Sequence, residues 1–318
     1  MNHNFPYVSI CTVVKNRAYS IRRCVESVLN QDYPNIEYVL QDGDSTDGTL
    51  EILQEYERQY PDRIRLVSLH DSCPEEGFFR ALRRCSGEII GSCWSDDELL
   101  PYAASWAVEN MARYPSSAAI YGGYHTKDIG GNILDKDIHS PPFSIEAYLC
   151  HKVVPPFCSS FFRRICLHEI GLMREDWEKG VGEFELWTRL GMRYSIQDVP
   201  GIVAKINVSQ YSNTCNPNII LGLVQPRKQL MEKIFSDPFT PLQIRALKQR
   251  AYAGLHLWTA LSLLNTSGKK HAWRQILRAL QYKPEFTYLT ASLIRTFYKT
   301  MLPQDKFIRG LYQRIRSH

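Results

Sequence analysis

Tyr7–Val14 (YVSICTVV) is an apolar run rich in β-branched residues, which predicts a strand. A helical pattern opens at Ser20 and puts Ile21, Cys24, Val25, Val28 and Leu29 on one face. After the turn Gln31-Asp32-Tyr33-Pro34-Asn35, Ile36–Leu40 predicts a second strand. It empties into Gln41-Asp42-Gly43-Asp44-Ser45-Thr46-Asp47-Gly48-Thr49, followed by a helix carrying Leu50, Leu53 and Tyr56. Ile64–Leu69 and Glu88–Trp94 predict two further strands. Strands and helices alternating through short connections predict an α/β fold with a mainly parallel central sheet and helices on both faces. Ligands of such a sheet bind at the carboxyl ends of its strands.

Further on, a helix is expected from Pro101 to about Tyr114 and a strand at Ala118–Tyr121, broken by Gly122-Gly123. Lys127 to Pro142 is read as loops and turns. A strand at Phe157–Arg164, a helix from about Phe184 to Met192 and a strand at Ile202–Val208 close the sheet-containing domain, placed at residues 1–236. Beyond Pro238 the pattern is helical throughout, punctuated by Gly268, Pro284 and Pro303.

Charge separates the two parts. From Pro241 onward there are 14 Lys and Arg against two acidic residues, whereas the first 240 residues carry 24 basic and 31 acidic ones. An acidic front part suits cations and a basic tail suits anions such as phospholipid headgroups. The tail segments Ala253–Leu264, His271–Leu280, Phe286–Phe297 and Phe307–Ile315 mix apolar and aromatic residues with basic ones. That composition fits peripheral contact with an anionic membrane, or else a helical bundle packed on the domain with a solvated basic face. Because the basic residues adjoin apolar faces, nucleic acid is not expected as a partner. No apolar stretch approaches the roughly 20 residues of a spanning helix and no signal-peptide core precedes the first strand, so a cytoplasmic location is expected. Nine cysteines lack C-x-x-C spacing and read as reduced core residues rather than a disulfide framework or zinc site.

The chemistry-bearing residues sit at strand ends. Trp94-Ser95-Asp96-Asp97-Glu98 clusters three acids after a strand, an arrangement that suits Mg²⁺ or Mn²⁺ bridging a diphosphate. The alternative is a helix start capped by Ser95, with the acids complementing its dipole. Asp42, ending a strand beside a glycine-assisted turn, is placed to accept hydrogen bonds from a base or ribose, while Asp47 also fits a plain cap.

Taken in order and spacing, Ser9–Arg17, Ser27–Glu37, Asp42–Thr49, Gly87–Ile90 and Ser95–Asp97 resemble family 2 glycosyltransferases of the GT-A fold. The likeness is close over residues 7 to 101 and looser to about 208. Ser160–Arg164, Gly171 and Gly182-Glu183-Phe184-Glu185-Leu186-Trp187-Thr188-Arg189-Leu190 are similar to the family's later segment. The resemblance implies that Thr12 and Asn16 line the nucleotide pocket, that Asp42 binds the base, and that Asp96 and Asp97 form a DXD-like metal and diphosphate motif. Asp44, where the family usually keeps Gly, joins the nucleotide-binding set. Glu183 stands at the position of the catalytic base, with Glu185 in reserve. On a helix these two acids project about 200° apart, so only one faces the acceptor.

The resemblance thus implies an inverting, metal-dependent transfer of one sugar from a nucleotide-sugar donor, UDP-type favoured, to a glycan or lipid-linked acceptor in surface polysaccharide synthesis. There are departures. Glu75–Arg84 matches the usual Asp-x-Gly and Ala-x-Asn-x-Gly segment loosely and lacks its Asn, leaving Arg80, Arg83 or Arg84 as candidate phosphate ligands. The absence of Gln-x-x-Arg-Trp argues against chain building. A catalytically weak binding or scaffolding subunit is the competing expectation.

Overall fold

The computed structural model describes residues 5–172, 181–208, 216–264 and 269–282. Strands β1 (Val8–Val14), β2 (Ile36–Asp42), β3 (Ile64–Ser68) and β4 (Ile89–Ser92) lie in the spatial order 3-2-1-4, all parallel. Helices α1 (Ile21–Leu29), α2 (Thr49–Gln59) and α3 (Pro74–Arg84) connect them. Next along the chain come β5 (Glu98–Leu99), α4 (Ala103–Arg113), β6 (Ser117–Lys127), β7 (Ile133–Ile138), α5 (Ile145–Leu149), β8 (Ser160–Arg163), α6 (Arg164–Glu169), α7 (Gly182–Arg193) and β9 (Ser195–Asn207). The sheet continues from β4 through β8, β6 and β9 to β5, with β7 paired to β6. Helices α8 (Pro217–Gly222), α9 (Val224–Ser236), α10 (Leu242–Arg245), α11 (Lys248–Leu264) and α12 (Lys269–Gln281) complete the described chain.

Beyond β4 the sheet is mixed rather than mainly parallel, because β8 runs antiparallel to both β4 and β6 while β6 and β9 are parallel. Strand β6 continues through Gly122-Gly123, where the glycines predicted a break; its register against β9 shifts there, but β9 pairs with it on both sides of the irregularity. The stretch expected to be loops contains β7, whose side chains are nearly all exposed and therefore carry no apolar period. Helix formation resumes at Pro217, not after Pro238.

Two apolar layers flank the sheet. One holds α1, α2 and α4 side chains such as Val25, Leu53 and Met111; the other joins Phe79 and Leu82 of α3, Trp187 of α7, Met231 of α9 and Leu255 of α11. Each fully buried side chain of this size contributes roughly 1.5–3 kcal/mol. The second layer runs across residue 236 without interruption, so α9, α10 and α11 close the same core as the sheet. A Cβ on Gly254 of α11 would collide with the carbonyl oxygen of Cys150, which shows how tightly that helix docks. Eight cysteines fall among the described residues; all are free, and seven are buried. The tail segments 286–297 and 307–315 lie outside the described residues.

Candidate active site

Strands β1 to β4 deliver their carboxyl ends to one edge, and the loops there are stitched together by short polar side chains. Asp42, the last residue of β2, accepts hydrogen bonds at Oδ2 from the amides of Asp44 and Ser45, each at 3.1 Å, and from Ser68 Oγ at 2.7 Å. Its other oxygen, Oδ1, is buried and has no hydrogen-bond partner among the described residues. A buried carboxylate oxygen without a donor is costly, and it fits an N–H or O–H supplied by a ligand.

Asn16 has a left-handed backbone (φ 53°) and ties the end of β1 to this loop. Its Oδ1 accepts from Thr46 N at 2.8 Å and its amide donates to Ser45 Oγ at 2.9 Å. Asp44 is exposed, also left-handed (φ 66°), and sits 3.9 Å from His70 Nδ1. Asp47 accepts from Thr49 N and Ala18 N, each at 3.1 Å, so it serves as a cap. Thr12 departs from expectation: it is buried, and its hydroxyl is committed to Cys93 O (2.7 Å) and Tyr38 Oη (2.8 Å). It therefore lies beneath the floor of the site instead of lining it.

Segment 94–97 forms a tight turn, with Asp97 N donating to Trp94 O at 2.8 Å. No helix follows, because β5 comes next and α4 begins only at Ala103, so the capped-helix alternative for Ser95 falls away. Asp97 is only 4% exposed and Asp96 is partly open. Burial and the neighbouring Asp96 charge push the Asp97 carboxyl up to about 8, against the pull of the Asn207 amide and Lys127. Glu98 belongs to a separate ionic cluster with Lys127 Nζ at 2.6 Å and Lys205 Nζ at 3.3 Å. A buried carboxylate whose proton affinity is raised by burial and by the charge of its neighbour fits a divalent cation held beside the pair. Among the described residues no cluster of three or more such side chains could hold one alone, so donor phosphate oxygens and water would have to complete its shell.

Helix α3 forms the next wall, over a segment for which the sequence predicts no element. Gly77 is required there, since a Cβ would stand 2.5 Å from Asp71 Oδ2 and 2.7 Å from Val13 Cγ1. Arg80 is paired with Asp71 and Glu76, and Arg84 donates to Leu40 O and Gln41 Oε1, each at 3.0 Å. Arg80 is thereby committed to its two carboxylates, whereas Arg84 spends only Nη2 and keeps Nε and Nη1 buried without an acceptor among the described residues.

Helix α7 packs its start onto α3, where a Cβ on Gly182 would meet Glu75 Cγ and Phe79 Cε2 at 3.1 Å. Glu183, in its first turn, reaches solvent and makes no hydrogen bond or ion pair with any described residue. Dense surrounding protein, together with Glu75, pushes its carboxyl up to about 7, with Arg227 opposing. Glu185 leaves the helix on the other side, is buried, and stands 3.6 Å from Arg189 Nε. It lines a different cavity of about 580 Å³ with Thr188, Arg193 and Leu230. Arg227, absent from the sequence reading, approaches Glu183 from α9; a lone Arg in an amphipathic helix carries no local signal.

Residues 9–166 match the glycosyl transferase family 2 model. The chain belongs to glycosyltransferase family 2. This glycosyltransferase is 35% identical over 150 residues to the chondroitin synthase of Escherichia coli, covering 46% of the chain and 22% of that protein. It is 36% identical over 137 residues to a protein named for teichuronic acid biosynthesis, the glycosyltransferase TuaG of Bacillus subtilis, covering 43% and 54%. The match thus spans about a fifth of one relative and about half of the other. Among solved structures, the mannosyltransferase PcManGT from Pyrobaculum calidifontis, in complex with GDP-Man and Mn²⁺, superposes with a TM-score of 0.60 at 19% identity, covering 95% of this chain and 89% of that one. The mixed sheet with its helices is the GT-A fold.

Proposed function

We propose that this glycosyltransferase moves one sugar from a nucleotide-sugar donor to an acceptor hydroxyl with inversion, using Mg²⁺ or Mn²⁺. The observation that carries this reading is Glu183: an accessible carboxylate with no hydrogen-bond or ion-pair partner among the described residues, raised in proton affinity, at the start of a helix walling the strand-end site. Such a group is suited to general-base work near neutral pH. Asp42 Oδ1 receives the donor's base, while Asp96 and Asp97 hold the cation. When bound, that cation supplies charge neutralisation for the departing diphosphate. Glu183 takes the proton of the acceptor hydroxyl as its oxygen bonds to the anomeric carbon, and the bond from that carbon to the nucleoside diphosphate breaks on the opposite side.

UDP-type donors are favoured, and the likeness to proteins named for chondroitin and teichuronic acid synthesis supports a surface polysaccharide or lipid-linked acceptor. No described helix is long and apolar enough to cross a membrane. The apolar side chains of α11 are mostly buried in the domain, which removes that helix as a membrane contact. On α12, however, Trp273 (53%), Leu277 (61%) and Leu280 (42%) form an exposed strip beside Lys270, Arg274 and Arg278. That strip supports peripheral contact with an anionic membrane at its cytoplasmic face.

Calorimetric titration with UDP, GDP and dTDP, each with and without Mn²⁺, tests the reading. Metal-dependent binding of one nucleotide, abolished in Asp97→Ala, supports it. Binding of none removes the active-site assignment and leaves a scaffolding role in its place.

A further inference from the structure

Beside Glu183 lies a wall that the donor site does not use. Arg227 on α9 places its guanidinium carbon 4.3 Å from the ring centre of Trp258 on α11 and 5.3 Å from that of Phe184 on α7. His151 stacks on the same Phe184 ring at 5.1 Å and stands 5.9 Å from Trp258. Burial, reinforced by the Arg227 charge, holds that imidazole near 3, so it is neutral and Arg227 is the wall's cation.

Arg227 forms no hydrogen bond and no ion pair with any described residue, and its Nε is buried without an acceptor. It shares an electrostatic influence with Glu183, yet the two do not pair. A half-buried guanidinium fixed between aromatic rings, with its donors unspent, matches an oxyanion in two-pronged fashion. The donor diphosphate is accounted for by Asp96 and Asp97, which leaves the acceptor as the source of such an anion.

We propose, resting on the transfer reading above, that Arg227 and Trp258 form the acceptor subsite, and that the acceptor carries a phosphate or carboxylate close to the hydroxyl presented to Glu183. Phe184 then does two jobs, bracing the guanidinium and spacing it from the base next to it in sequence. Trp258 fixes the plane of the guanidinium fork, and the gap between carboxylate and guanidinium is where the acceptor lies.

The test uses the full chain with UDP and Mn²⁺ present, at fixed ionic strength, followed by saturation-transfer NMR. The probes are glucose 6-phosphate, methyl glucuronide, neutral methyl glucoside and inorganic phosphate. At least one anionic sugar is expected to bind roughly tenfold tighter than the neutral one, a difference of about 1.4 kcal/mol. Arg227→Gln should erase that preference while leaving UDP binding intact, and Arg227→Lys should keep only part of it. Glucose 6-phosphate and methyl glucuronide separate the phosphate source from the carboxylate source. The subsite is overturned if charged and neutral sugars bind alike or not at all, if the preference survives Arg227→Gln, or if inorganic phosphate alone binds as tightly as the sugar phosphate. It is equally overturned if Arg227→Gln weakens UDP as much as the probes, for the guanidinium then serves the donor. If Arg227→Gln does not fold, the same comparisons on Arg227→Lys decide. Failure of every nucleotide to bind the unaltered chain removes the transfer reading and the subsite together, whereas nucleotide binding without an oxyanion preference removes the subsite alone.

Discussion

The backbone amide of Asn207, the last residue of β9, donates to Asp97 Oδ1 at 2.8 Å, while its side-chain nitrogen donates to Asp96 Oδ2 at 3.2 Å. One residue thereby orients both carboxylates of the cation site from the strand that pairs with β5. Without a cation, Asp97 is held protonated up to about 8. A folded-state value above the unfolded one means stability that is full below about 4 and is lost as pH rises through about 8. Thermal melts in chelator should show this decline. Asp97→Asn should remove it and Mn²⁺ should reverse it, since a ligand that binds only the folded state stabilises it. A flat melting profile in chelator would contradict the arrangement.

Glu183 supplies the second expectation. With its carboxyl near 7, kcat/KM should fall about tenfold per pH unit on the acid side of neutrality, as the base becomes protonated. Glu183→Gln should lower kcat by roughly 10²-fold or more with nucleotide affinity unchanged, whereas Glu185→Gln should act mainly on stability. Equal losses of kcat in the two variants would argue against the assignment.

Asp42→Asn keeps an oxygen for the Asp44 and Ser45 amides but turns a donor toward the ligand. Nucleotide affinity should drop roughly 10- to 100-fold, reflecting about 1–3 kcal/mol for an unmatched buried polar group. Calorimetry measures this directly, with Asp44→Asn, at an exposed position, as the mild comparison.

Gly77→Ala forces a methyl against Asp71 and Val13. Overpacking of this kind costs about 1–3 kcal/mol, readable in the urea midpoint, and nucleotide affinity should fall with it because Asp71 and Gln41 would have to move.

Leu277→Glu combined with Trp273→Ser should abolish sedimentation with vesicles containing anionic lipid, leaving nucleotide binding untouched. Retained sedimentation of that variant would separate α12 from membrane contact.

The sequence made the strand-end chemistry legible because β1, β2 and β4 are buried on both sides and their loops need particular residues: Asp42 at a strand end, Asn16 and Asp44 at positive φ. What it obscured depends on distant partners. Strand β6 crosses Gly122-Gly123 because β9 supplies the pairing, and β7 hides its register because its positions, apolar Ile133 and Leu134 included, are nearly all exposed. Thr12 looked like a pocket residue since nothing local reveals that Cys93 and Tyr38 claim its hydroxyl. Arg227 became visible only once α9, α7 and α11 were brought together.

The unbroken core across residue 236 also bears on how the protein is made. Phe184 and Trp187 emerge from the ribosome well before Leu255 and Trp258, the residues that cover them or complete the wall beside them. A nascent chain can therefore assemble β1 to β4 early, yet the wall beside Glu183 is complete only once α11 has been made.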